Sequence, residues 1–123
     1  MVKEINSVAE AVPVIMQARG WLQAGRIYYR GAQDTRGRRY LKYSTPERTM
    51  ADCLSLDVMA EVWAKMPDKN FHFYFMDKQW HVGMGEYYDT YTSSASTLNE
   101  AACIATARAL VALAATTGSQ EDK

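Results

Sequence analysis

Cysteine, proline and glycine are scarce in this 123-residue chain, with two, three and seven copies respectively. Cys53 and Cys103 stand far apart in apolar, helix-like stretches, which excludes a dithiol redox motif or a zinc knuckle and predicts two buried free thiols. With so little Pro and Gly, and 23% charged residues, collagenous and low-complexity compositions are also excluded. No apolar run reaches the ~20 residues a membrane span needs. The longest, residues 101–115, is broken by Thr106 and Arg108, and the Met1-Val2-Lys3-Glu4 start lacks the apolar stretch of a secretory signal. A cytoplasmic protein without membrane partners is therefore expected. A Walker loop, a dinucleotide-binding glycine fingerprint, HExxH and GxSxG are missing too, so neither an enzyme nor a metal or other cofactor is expected.

What the chain does hold is enough for one core. Its residues are 48% hydrophobic and 11% aromatic, and ~120 residues bury roughly two thirds of their extended surface on folding. The reading is a single domain over residues 1–118 with a frayed polar tail at 119–123. Fourteen basic residues balance fourteen acids, but unevenly. Residues 19–48 contain seven Arg and Lys42 against Asp34 and Glu47, a net of +6, so the remainder carries −6. Such a division implies a local field and a partner that answers it: an acidic protein, a nucleic acid or another copy of the chain.

Capping signals mark the helices. Ser7-x-x-Glu10 and Thr97-x-x-Glu100 are capping boxes, in which hydroxyl and carboxylate satisfy orphan amides. The first helix should end at Arg19-Gly20, and Pro13 must either kink it or mark a later start. Thr45-Pro46-Glu47 opens a second helix, whose stripe Met50, Leu54, Val58, Val62 and Met66 should face the core until Pro67 stops it. The last helix should run from Thr97 to about Thr116.

Between Gly25 and Ser44 the pattern alternates, with turn residues at Asp34-Thr35-Arg36-Gly37, which predicts a β-hairpin. Arg26, Tyr28 and Arg30 share one face with Arg38, Tyr40 and Lys42, and Arg36 and Arg39 lie close by. Ile27, Tyr29, Leu41 and Tyr43 take the other face, which is expected to be the apolar inside. A second hairpin with a two-residue turn at Asp77-Lys78 sets Phe75 opposite Trp80, Phe73 opposite Val82 and Phe71 opposite Met84, placing six large apolar groups on one face. Residues 87–92 provide a third strand. The expected order is α, β-hairpin, α, three-stranded meander, α: an α+β sandwich of helices on an antiparallel sheet.

Several short motifs carry a family likeness: Ala18-Arg19-Gly20-Trp21, Tyr43-Ser44-Thr45 before a helix, a hairpin with Trp80, and Thr97-x-x-Glu100-Ala101-x-Cys103 followed by Arg108-Ala109-Leu110. Over about two thirds of its length the chain resembles small bacteriophage proteins of the phage ABA-sandwich type. The resemblance implies phage or mobile-element origin and a bacterial host cell as setting, and the family has no established catalytic residues to carry over.

Three groups of residues are candidates for chemistry. His72 and His81 should project from one sheet face on neighbouring strands, where a metal would need further ligands such as Glu86 or Asp89, and a structural role is favoured. Asp52, Asp57 and Glu61 read as a solvated helix face. The hairpin is least explained by folding: five of its six basic groups from Arg26 to Lys42 are Arg, the residue suited to fork-like recognition, where edge protection would more naturally use Lys. Arg26, Tyr28, Arg30, Arg36, Arg38, Arg39, Tyr40 and Lys42 are therefore the candidate partner- or anion-binding residues. The expected function is a non-enzymatic protein that inhibits or sequesters a host protein or ribonucleoprotein, most concretely an anti-CRISPR-like counter-defence factor. Direct nucleic-acid or nucleotide binding is the alternative, an unrecognised enzyme comes third, and a homodimer is compatible with all of them.

Overall fold

The computed structural model describes residues 4–66, 71–84 and 91–121. Helix α1 (Val8–Ala18) leads into strands β1 (Leu22–Ala24), β2 (Ile27–Gln33) and β3 (Arg39–Ser44), then helices α2 (Pro46–Cys53) and α3 (Leu56–Ala64). Strands β4 (Phe71–Met76), β5 (Gln79–Met84) and β6 (Tyr91–Ala95) follow, and α4 (Leu98–Glu121) closes the chain. The class is α+β, as expected, but the strands form two separate antiparallel sheets, β1-β2-β3 and β4-β5-β6. Among the described residues no helix is long and apolar enough to cross a membrane.

The caps behave as their chemistry requires. Ser7 Oγ accepts the Glu10 amide at 3.2 Å and Thr97 Oγ1 accepts the Glu100 amide at 3.2 Å, while Thr45 caps α2 with Pro46 at its start. Pro13 lies inside α1, which runs unbroken from Val8 to Ala18 with Arg19 as its C-cap, and Gly20 at φ +87° follows the cap. At the other end of the chain, α4 continues past the expected Thr116 to Glu121.

One expected helix is two. The chain breaks at Leu54-Ser55, where Ser55 Oγ accepts the Val58 amide at 3.5 Å and Asn99 Nδ2 donates to the freed Leu54 carbonyl at 2.6 Å. The break turns the helix face. Met50, from the expected stripe, is exposed, and Met59, outside it, is fully buried, alongside Cys53, Val62 and Met66 as expected.

Helix α4 is the centre of the molecule. It packs on β5 and β6 on one side and on α1 and α3 on the other. Its residues 101–107 are all buried, and five of those seven are Ala or Cys, whose small side chains permit close approach. Trp63 Nε1 donates to Thr106 Oγ1 at 2.8 Å, tying α3 to it, and Arg108 Nε donates to the Ile5 carbonyl at 2.8 Å, tying down the N-terminal segment.

The β4–β5 register is the expected one, with Phe75 opposite Trp80, Phe73 opposite Val82 and Phe71 opposite Met84. Its burial is not. Val82 is buried, whereas Phe73 is 62% exposed and Phe75 58%. One helix ~10 Å across spans about two strands spaced ~4.8 Å, so β4 lies beyond the flank of α4. The third strand starts at Tyr91, and the first four residues of the expected 87–92 strand lie outside the described residues.

The β4–β5 turn has Asp77 at φ 55° and Lys78 at φ 63°, the two positive angles of a type I′ hairpin. Asp tolerates that conformation and Lys does not. Lys78→Gly should therefore stabilise the protein by about 1 kcal/mol and raise its thermal midpoint by about 3 °C. An unchanged midpoint would mean that the turn carries no strain.

Candidate protein-binding ribbon

The β1-β2-β3 sheet begins against the body and ends in solvent. Gly25, at φ +63°, and Arg26 turn β1 into β2, pairing Ala24 with Ile27 and Leu22 with Tyr29. The β2–β3 turn pairs Gln33 with Arg39, and the ladder continues back through Gly31 and Leu41 and Tyr29 and Tyr43 to Tyr28 and Ser44. Asp34 shapes the turn, because its Oδ1 accepts the amides of Arg36 at 2.8 Å and Arg38 at 2.9 Å.

Burial at the base decides which face looks inward. Ser44 is buried and shares a 2.7 Å hydroxyl contact with Thr49 of α2, and Tyr28, directly opposite Ser44, is 5% exposed. Burial and the neighbouring Cys53 both push the Tyr28 phenol above its ordinary pKa. Arg30, next on this face, holds its guanidinium 5.2 Å from the Trp21 ring centre and reaches the Arg19 carbonyl at 3.5 Å.

The expected orientation is therefore reversed. The face carrying Tyr28 and Arg30 packs on the body, and the face carrying Leu22, Ile27, Tyr29, Leu41 and Tyr43 looks out. Leu41 is 52% exposed and Tyr43 63%. Alternation correctly sorted the residues into two faces, but the strands leave the body after Tyr28 and Ser44, so aliphatic content did not indicate which face is covered.

Each candidate residue has a definite place. Arg26 is exposed at the β1–β2 turn, and Arg36 at the β2–β3 turn. Arg38 is exposed beside Asp34, with Nε 3.8 Å from its carboxylate. Arg39 is exposed on the apolar outer face with Leu41 and Tyr43, and Tyr40 and Lys42 are exposed beyond Arg30 on the opposite face. Only Tyr28 and Arg30 are withdrawn towards the core. Arg30 stands directly opposite Lys42, a like-charge pair that is unfavourable without an anion nearby. The sequence reading missed β1 and with it Leu22; the Ala24-Gly25-Arg26-Ile27 step was the available signal for its two-residue turn.

The free edge of β3 matters as much as its faces. Asp34 donates its amide to the Arg38 carbonyl at 3.0 Å, so these two residues form a hydrogen-bonded pair at the turn. Such pairs alternate along an antiparallel ladder, which directs the amides and carbonyls of Arg39, Leu41 and Tyr43 away from β2. Among the described residues no strand pairs with that edge.

The two histidines do share a face. Tyr74 lies between them, its ring centre 6.2 Å from that of His72 and 4.9 Å from that of His81, nearly parallel to both. They border an open cavity of about 340 Å³ with Asn6, Ser94 and Arg108. Among the described residues no three His, Cys, Asp or Glu side chains could hold a metal, and Glu86 and Asp89 lie outside them. Asp57 and Glu61 are exposed on α3, and Asp52 sits on the separate helix α2. Cys53 and Cys103 are both buried free thiols.

No protein-family model matches the chain, and no curated protein or solved structure matches it either.

Proposed function

We propose that the chain is a non-enzymatic binding protein that engages an acidic protein partner through the β1–β3 ribbon and inhibits or sequesters it. In the setting that the bacteriophage resemblance implies, the partner is a host protein or ribonucleoprotein and the role is counter-defence of the anti-CRISPR kind. The observation that carries the binding reading is the uncovered apolar face of Leu22, Ile27, Leu41 and Tyr43, with Tyr29 half-buried among them. A contiguous apolar surface on a projecting ribbon is costly to leave in water and is characteristic of interaction sites. Arg36, Arg38 and Arg39 flank it, which selects an acidic partner over a second copy, since self-association through this face would bring two +6 segments together. The free amides of Arg39, Leu41 and Tyr43 allow that partner to add a strand.

Site-specific capture tests this reading. A photo-reactive residue in place of Tyr43 should cross-link one discrete protein from bacterial lysate, and the same residue in place of Ala60, exposed on α3, should not. Leu41→Ser should abolish the capture at position 43. Equal capture from both positions would refute the assignment. Exposed Arg26, Arg36 and Arg39 favour nucleic acid as a second reading; it requires a cross-linked oligonucleotide at position 43 and affinity that falls steeply with salt.

A further inference from the structure

At the base of the ribbon, on the side away from the apolar face, two arginines converge with their Nε groups unpaired. Arg19 caps the C-terminus of α1 and Arg30 comes across from β2. The Nε groups of both are buried and have no hydrogen-bond partner, and Trp21 Nε1, under the Arg30 guanidinium, is in the same condition. Each guanidinium makes one bond through Nη1, Arg19 to Met16 Sδ at 3.8 Å and Arg30 to the Arg19 carbonyl, but buried donors are almost always satisfied, so two unpaired Nε groups lining one cavity require an explanation.

Arg19 and Arg30 line a small cavity of about 40 Å³ with Lys65 and Glu61. One water needs about 10–15 Å³ by the same measure, so the space admits a group of several oxygens. Three cations surround it, and Lys42 opposite Arg30 adds a fourth nearby. The one acid in the lining does not satisfy them: the Glu61 carboxylate is 4.0 Å from Arg19 Nε, beyond hydrogen-bonding range, and is 68% exposed.

We infer that the cavity between Arg19, Arg30 and Lys65 is an oxyanion-binding site that takes a phosphate or carboxylate group in place of Glu61. Each Arg Nε donates to one oxygen, Lys65 supplies a mobile third charge at the mouth, and Glu61 swings out to solvent when the anion enters. The site is separate from the outer face of the ribbon and does not depend on what binds there.

Thermal unfolding at constant ionic strength tests the inference, with sodium phosphate, acetate and chloride as probes. Ligands that bind only the folded state raise the midpoint by mass action, so phosphate should give a saturable rise that chloride does not. Glu61→Gln removes the competing carboxylate and should tighten the apparent phosphate affinity by about tenfold, a change that diffuse attraction to a basic surface would not produce. Arg30→Gln should abolish the response. Lys65→Gln, an exposed position that leaves the fold alone, should weaken it severalfold. A stronger effect of phosphate than of acetate identifies a phosphate group as the ligand; equal or greater stabilisation by acetate identifies a carboxylate, such as a partner's Asp or Glu. No response above chloride, or a Glu61→Gln response equal to wild type, would overturn the assignment.

Discussion

Raising the pH from 8 to 11 should cost the folded protein about 6 kcal/mol through its two thiols alone. Burial pushes Cys53 up to about 11, with Asp52 adding to the rise and Arg19 opposing it. Burial, with Cys53 nearby, pushes Cys103 up to about 12. In the unfolded chain both thiols ionise near the ordinary value of about 8.5. Both folded-state values are raised, so below about pH 8.5 the folded and unfolded chains hold the same thiol protons and stability is intact. Between there and about pH 11 the unfolded chain releases protons that the folded chain keeps. Stability then falls by up to 1.4 kcal/mol per pH unit for each thiol. Tyrosines and lysines titrate over the same interval, so the measurement is a comparison. Urea unfolding of wild type and of Cys53→Ala/Cys103→Ala should give curves that converge as pH rises, because only wild type has thiols to lose. Parallel curves would show that the thiols titrate normally in the folded state and are not sealed in the core. At pH 8 neither thiol should react with iodoacetamide until the protein unfolds.

Local chemistry was legible in the sequence wherever a few neighbouring residues decide the outcome. Ser7 with Glu10, Thr45 with Pro46 and Thr97 with Glu100 each form a helix start from atoms within one turn. The Asp77-Lys78 turn fixed the β4–β5 register by its length. Tertiary partners decided the rest. The Ser55 break is completed by Asn99, 44 positions along the chain, and nothing around Ser55 in the sequence announces that partner. Phe73 and Phe75 have the residue type and register of core groups, but the width of a single helix leaves them outside. The ribbon shows the same limit at the candidate site. Its two faces and its arginines could be read from period-two alternation, but its orientation follows from Ser44 meeting Thr49 at the base. The buried Nε groups of Arg19 and Arg30 are a product of that same orientation, 11 residues apart in sequence and adjacent in space.

Tyr28 and Tyr43 should respond oppositely to the same truncation, and the contrast tests the ribbon's orientation directly. Tyr28→Ala removes a ring that is 5% exposed, beside Ser44 and near the Cys53 thiol, and should destabilise the protein by about 3 kcal/mol, the range for large aromatic truncations in cores. Tyr43→Ala removes a ring that is 63% exposed, at the next position back along the ladder, and should change stability by about 0.5 kcal/mol or less. Had the aliphatic face been the inner one, the two values would be exchanged. Arg26→Ser and Arg38→Ser should also fall within about 0.5 kcal/mol, the second because its pairing with Asp34 is a solvent-exposed ion pair. Urea unfolding of the four single variants, with the slope held to the wild-type value, measures all of this. Equal losses at Tyr28 and Tyr43 would mean that both faces of the ribbon are covered, leaving no apolar face on it for a partner. A small loss at Tyr28 with a large one at Tyr43 would restore the opposite orientation and place Tyr28 and Arg30 in solvent beside the exposed Tyr40 and Lys42 as the recognition face.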